Sequence, residues 1–237
     1  MDTIIIIPAR WKSTRFPGKP LANVVGKKLI QRVWDQCIQV PDVDVCVATD
    51  SEKIKQYCKK NNINYIMTSE NCKTGTDRVV EAYNKLGKMY NTIINVQGDE
   101  PFVTPEDIIK VYKNNNKEIN CGQCEIKDVN DFVNPNIIKV VTDIHGYMLY
   151  ASRSPIPINK SSEFKKAYRQ VCIYSFSNSM LPCFSGDKTP LESIEDIELL
   201  RFVEKGFKIK MINVSGASVA VDIPEDIDRI ENILLGR

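Results

Sequence analysis

The sequence holds a single histidine, His145, and among its eight cysteines only Cys121 and Cys124 have C-x-x-C spacing. A zinc site needs a second such pair or a histidine pair, and a thioredoxin-like centre needs a βα start around its cysteines. The eight thiols therefore read as reduced, mostly buried small hydrophobes. An excess of one charge is also missing. The 32 Lys and Arg face 30 Asp and Glu, a balance of +2, which excludes the whole-surface field of a non-specific nucleic-acid binder. No apolar run approaches the roughly 20 residues of a membrane span. The run Ile4–Ile7 follows Asp2 and is too short for the core of a signal peptide, so a cytoplasmic protein is expected. No repeat or low-complexity tract interrupts the 237 residues, of which 43% are hydrophobic, and one domain over 1–237 is expected. Neither a Walker A pattern nor G-x-G-x-x-G occurs, which weighs against ATPase and dehydrogenase chemistry.

What is present is alternation. Short β-branched runs at 3–7, 43–48, near Tyr65 and at 92–96 are separated by helical patterns, the arrangement of parallel strands joined by crossover helices. The residues Leu29, Ile30, Val33, Trp34, Cys37 and Ile38 give one apolar helix face. Further helices are expected at 51–61, at 76–86 and from Pro105 to about Asn115. The pattern then lapses into antiparallel strands at 137–142 and 147–152 around turn residues 143–146, followed by a polar stretch at 159–166 and a strand at 170–176. A helix at 192–205 ended by Gly206, a strand at 208–214 and a helix from Pro224 to Leu235 close the reading. The fold class expected is α/β, a doubly wound mixed sheet with an inserted antiparallel section at about 137–176.

Two segments carry chemistry. The first strand runs directly into IPARWKSTRFPGKPL, where Arg10, Lys12, Arg15 and Lys19 lie within ten residues and no acid occurs between Asp2 and Asp35. Open α/β sheets bind ligands beyond the carboxyl ends of their strands, so these cations converge on a crevice. Gly18 permits close approach, Pro17 and Pro20 stiffen the loop, and Ser13 and Thr14 can donate to phosphate oxygens. A nucleoside triphosphate suits this field; a solvated basic loop is the plain alternative. The strand at 92–96 ends in Gln97, Gly98 and Asp99, and Asp222 likewise follows an apolar run. Two strand-end carboxylates beside a triphosphate suit Mg²⁺, although such acids also serve as turn or cap residues. Glu225 and Asp226, at the start of the last helix, complement its dipole. Thr76 and Arg78 open another helix and can meet a base edge or an anion, or act as an N-cap and a surface partner.

These motifs in this order resemble the CMP-Kdo synthetases, the 3-deoxy-manno-octulosonate cytidylyltransferases of the nucleotide-sugar transferase fold. The resemblance includes VATD at 47–50, MTSENCKTGTDR at 67–78, NVQGDEPF at 95–102, YASRSPIP at 150–157 and VDIPEDI at 221–227, and spans nearly the whole chain. It implies a homodimer formed through the inserted section and attack of the sugar's anomeric hydroxyl on the α-phosphate of CTP. The pathway implied is bacterial surface polysaccharide or lipopolysaccharide synthesis. Arg10, Ser13, Arg15 and Lys19 would hold the triphosphate, and Asp99 and Asp222 the magnesium. Pro8, Ala9, Thr76, Arg78 and Gln97 would sit around the nucleotide. Arg10, Lys19, Asp99 and Asp222 would be the catalytic set, and Gln97, Arg153, Gln170, Tyr174 and Glu198 would meet the acidic 2-keto-3-deoxy sugar. The sugar motifs depart from the family: Gln170 stands for its usual histidine, Leu199 for a glutamine, Ala151 for a phenylalanine and Ile223 for a threonine. Those departures keep two alternatives open, transfer to an amino-Kdo or nonulosonate and a silent nucleotide-binding paralogue.

Overall fold

The computed structural model describes residues 2–13, 15–113, 119–184, 186–217 and 220–235. In chain order its regular elements are β1 (Thr3–Ala9), β2 (Asn23–Val24), β3 (Lys27–Lys28), α1 (Leu29–Cys37), β4 (Asp44–Thr49), α2 (Glu52–Lys60) and β5 (Tyr65–Met67). These are followed by α3 (Gly75–Lys85), β6 (Thr92–Val96), α4 (Pro105–Lys113), β7 (Ile119–Ile126), α5 (Val129–Val133), β8 (Lys139–Thr142), β9 (Met148–Ser152) and β10 (Ala167–Ser177). The last four are α6 (Pro190–Glu195), α7 (Leu200–Glu204), β11 (Ile209–Asn213) and α8 (Glu225–Leu235). They divide between two compact units, Met1–Ile109 with Ala217–Arg237, and Lys110–Gly216.

In the first unit β6, β1, β4 and β5 lie side by side, every pair parallel, with Ile4 opposite both Asp44 and Ile93. The run Ile4–Ile7 is buried on both faces, as an apolar strand without alternation requires in a parallel sheet. Helices α1 and α3 pack against β1. Leu29, Ile30, Val33, Trp34 and Cys37 form the expected buried face, but Ile38 does not join it: it is the C-cap of α1, one residue past the helix, and is 52% exposed. Ser51 caps α2 by accepting from the Ile54 N–H. The N-cap of α3 is Thr74, in a reciprocal capping box with Asp77, rather than Thr76. Thr76 is the second residue of α3, fully buried, and its hydroxyl accepts from Asn95 Nδ2 at 3.0 Å.

The second unit is built on β7, which pairs antiparallel with β10 and parallel with β11. The sequence reading has no strand here. The segment INCGQCEI is buried except at Glu125, so its polar Asn120 and Gln123 face inward and erase the alternation that marks a half-buried strand. Gly122 lets the strands approach closely there, since a Cβ would stand 3.2 Å from the Val171 side chain. Cys121 and Cys124 both lie on β7, three residues apart and hence on opposite faces, which prevents a shared metal or a disulfide. The hairpin of β8 and β9 forms as expected around Asp143 and Gly146, the latter at φ 77°. The helix expected at 192–205 is two helices, broken at Asp196 with φ 50°. The cause is Arg201, which returns to Glu192 with two hydrogen bonds of 2.7 Å, both side chains fully buried. On a continuous helix nine residues would separate them by about 13.5 Å. The expected end of α4 near Asn115, and Thr14 in the basic loop, lie outside the described residues.

Candidate active site

The loop after β1 is curled by its own backbone. The Ser13 and Gly18 N–H groups both donate to the Trp11 carbonyl, at 3.1 and 3.0 Å. Gly18 sits at φ 74°, and a Cβ on it would meet the Trp11 ring at 2.9 Å, so glycine is needed twice over. The Ser13 hydroxyl accepts from the Phe16 N–H, and Asp50 at the end of β4 accepts from the Trp11 N–H at 3.3 Å. This curl delivers Lys19 to Asp99, at 2.6 Å, and to the Val221 carbonyl, also at 2.6 Å. Arg15 reaches Asp222 at 2.8 Å, and the Val221 N–H donates to the Asp99 carbonyl at 2.9 Å. The strand-end acids and two loop cations expected to share a crevice are thus in direct contact. Arg10 is exposed and forms no ion pair among the described residues.

Burial raises the pKa of Asp222, and the neighbouring charge of Asp99 raises it further, against the opposing pull of Lys19 and Arg15. The charge of Asp99 is therefore felt at Asp222. Asp226 takes the helix-capping role, accepting from the Asp222 and Ile223 N–H groups at 2.7 and 3.0 Å, which leaves the Asp222 side chain to the crevice. Among the described residues no group of three or more His, Cys, Asp and Glu side chains forms a metal cage. A two-carboxylate site whose remaining positions are filled by phosphate and water is the kind that magnesium uses.

Beside this cluster lie the residues expected around the nucleotide. Pro8 and Ala9 end β1, both buried, and the Pro8 carbonyl is 2.7 Å from where a Cβ on Gly98 would be. Arg78 is not a surface residue: it is 2% exposed, and its guanidinium donates to Asp50 at 2.7 Å, to the Thr68 hydroxyl and to the Ser69 carbonyl. Gln97 packs on Gly75, the first residue of α3; a Cβ there would stand 2.7 Å from Gln97 Nε2. Asp50, which fixes both Trp11 and Arg78, enters the sequence reading only as the last residue of VATD at 47–50. A cleft of about 250 Å³ opens beside it, lined by Trp11, Lys12, Ser51, Lys53 and Glu70, with Lys12 and Glu70 paired at 2.6 Å.

Apart from Gln97, the sugar candidates lie in the second unit. Gln170 Nε2 donates to the Tyr174 hydroxyl at 2.6 Å, both residues being buried, and burial pushes the Tyr174 phenol well above its usual range. Arg153 is gripped elsewhere: its guanidinium donates to the carbonyls of Glu195, Pro135 and Asp196 at 2.6, 3.0 and 3.0 Å. Glu195, which sequence reasoning missed, also accepts from the Ser152 hydroxyl and the Arg153 N–H. Glu198 is half-buried and Leu199 fully buried.

Residues 4–211 match the cytidylyltransferase family. The mitochondrial 3-deoxy-manno-octulosonate cytidylyltransferase of Arabidopsis thaliana is 39% identical over 98% of this chain and 83% of its own length. The 3-deoxy-manno-octulosonate cytidylyltransferase of Thermodesulfovibrio yellowstonii is 41% identical over 99% of this chain and 98% of its own. A solved structure of CMP:2-keto-3-deoxy-manno-octonic acid synthetase complexed with CTP matches with a TM-score of 0.90 at 31% identity, covering 100% of this chain and 99% of that one. The 4-diphosphocytidyl-2C-methyl-D-erythritol synthase of Anaerococcus prevotii, at 19% identity and a TM-score of 0.65, shares the fold.

Proposed function

The chain belongs to the cytidylyltransferase family, and we propose that it transfers CMP from CTP to the anomeric hydroxyl of 3-deoxy-manno-octulosonate (Kdo), releasing pyrophosphate. The observation that carries this reading is the contact of Lys19 with Asp99 and of Arg15 with Asp222 beyond the strand ends. Arg10, Ser13, Arg15 and Lys19 hold the triphosphate, and Pro8, Ala9, Thr76, Arg78 and Gln97 surround the nucleoside. The donor set suits magnesium, since it offers only oxygen, and burial, followed by the charge of Asp99, raises the pKa of Asp222. Asp99 and Asp222 would hold the ion, which when bound neutralises phosphate charge. Positioning and charge neutralisation are what phosphoryl-type transfer asks of a protein, so Arg10, Lys19, Asp99 and Asp222 form the catalytic set.

Gln97, Arg153, Gln170, Tyr174 and Glu198 bind the acceptor. Three of the five donors of Arg153 are committed to carbonyls, leaving two for the sugar carboxylate. The section at about 137–176 forms the homodimer, a reading supported by the exposed Ile144, Leu149 and Ile158. No helix among the described residues is long and apolar enough to cross a membrane. The location that goes with this proposal is the cytoplasm, as the sequence reading expects. A second reading, transfer to another 2-keto-3-deoxy acid, is favoured by fully buried Leu199, which offers no polar contact at a position where the family has glutamine.

The test is pyrophosphate release with CTP, and with ATP for comparison, across a panel of Kdo, amino-Kdo and nonulosonates. Kdo with CTP is expected to dominate, and Asp99→Asn to lower turnover about 100-fold or more, as loss of Lewis-acid support implies. Equal rates with ATP, or a fully active Asp99→Asn, would overturn the assignment.

A further inference from the structure

Three amide side chains stand in register across three neighbouring strands of the second unit. Asn213 of β11 is opposite Gln123 of β7, and Gln123 is opposite Gln170 of β10. Residues paired in this way project from one face of a sheet. The row runs from exposed Asn213 to Gln123 and Gln170, each only 6% exposed. Its buried donors are engaged: Gln123 Nε2 donates to Asn213 Oδ1 at 3.0 Å, and Gln170 Nε2 to the Tyr174 hydroxyl at 2.6 Å. Its buried acceptors are not, because Oε1 of both glutamines receives no hydrogen bond from any described residue. A buried carbonyl oxygen without a donor is a standing cost that native folds rarely keep. Here two stand on directly opposed residues, whose Cβ atoms in antiparallel strands are about 5 Å apart.

The surroundings decide which ligand they suit. The groups that bear on the Tyr174 hydroxyl are Cys172, Glu198 and Cys121, none of them cationic. A carboxylate or phosphate would be repelled by two carbonyl oxygens and an acid. A hydroxyl donates a hydrogen bond and carries no charge, and two hydroxyls on a slim chain can enter where a ring cannot. We propose that Gln123 and Gln170 form an acceptor ledge for the hydroxyl-bearing side arm of the sugar, and that Gln123 is a specificity-determining residue of this chain. The inference rests on the acceptor reading above and adds to it which part of the sugar lies on β7 and β10. The carboxylate of the sugar then lies away from the ledge.

The test is a cycle between side chain and substrate. Steady-state kinetics are measured for Kdo and for analogues lacking the C7 or the C8 hydroxyl, with wild type, Gln123→Met and Gln170→Met. Wild type is expected to prefer Kdo over at least one analogue by roughly threefold to tenfold in kcat/KM, the range of one hydrogen bond. Gln123→Met should erase that preference by raising KM for Kdo alone, with KM for CTP and Tm unchanged. A merely structural glutamine would instead lower Tm and both activities together, and that outcome, or an undiminished preference in Gln123→Met, overturns the ledge. Wild type that turns over Kdo and both analogues equally also overturns it while sparing the acceptor reading. Wild type that releases no pyrophosphate with Kdo removes the acceptor reading and takes the ledge with it.

Discussion

Gly75→Ala should separate activity from stability at a single methyl group. Gly75 is the first residue of α3 and has no positive φ, so its backbone accepts alanine without strain. The added Cβ, however, would lie 2.7 Å from Gln97 Nε2, 2.8 Å from Oε1 and 3.1 Å from Cδ. Unstrained heavy-atom contacts lie near 3.5–4.0 Å, so the amide of Gln97 must retreat by about 1 Å. Because it is the far end of a flexible side chain, the retreat costs about 0.5–1.5 kcal/mol in rotamer strain. Replacing a helical glycine returns a similar amount. The expected change in Tm is within about 2 °C. Activity should respond far more, since displacement of a substrate-positioning group by about 1 Å can cost 10²-fold. We expect kcat/KM for pyrophosphate release to fall by about 10- to 100-fold. Gln97→Ala should abolish the effect, so that the double variant is no worse than Gln97→Ala alone. An activity within twofold of wild type, or a double variant clearly worse than either single one, would refute the reasoning.

Two further outcomes concern the second unit. Glu192→Gln breaks a fully buried two-bond pair and leaves the Arg201 guanidinium without its counter-charge, so chemical unfolding should show a loss of about 3–5 kcal/mol; a loss below about 1 kcal/mol would contradict it. Lys139 is fully buried with its ammonium on the carbonyls of Asn134, Ile137 and Arg153, and burial, helped by the Arg153 charge, lowers its pKa to about 8. Between pH 8 and the ordinary lysine value the unfolded chain binds more protons than the folded one, so this group makes stability rise with pH across that window and contributes nothing to the slope below it. The rise is on the order of 3 kcal/mol, and Lys139→Met should flatten it; parallel pH profiles for the two proteins would show that Lys139 stays charged.

The first unit was largely legible because its signals are local. A run such as Ile4–Ile7 announces a buried parallel strand, and a loop that leaves its end with four cations and no acid is expected to turn toward the ends of neighbouring strands. The contacts of Lys19 with Asp99 and of Arg15 with Asp222 follow from the rule that strand ends converge. The second unit was less legible because its determinants are pairings. Strand β7 hides because Gln123 and Asn120 face inward, where their amides find partners on β11 and β10. The break at Asp196 exists for the sake of Arg201 and Glu192, which no periodicity relates. The surface alternative for Arg78 stayed open because Asp50, which makes its burial tolerable, lies 28 residues earlier.

The ammonium of Lys19 ties together segments that the ribosome makes at very different times, Asp99 being 80 residues and Val221 202 residues away along the chain. A nascent chain that has emerged only through Asp99 possesses the cationic loop and one carboxylate, but lacks Val221 and Asp222. Closing the longer loop costs about 0.8 kcal/mol more entropy than closing the shorter one, by the logarithmic dependence on length. The crevice therefore cannot close until Val221 has been made, long after β1 and β6 are in place.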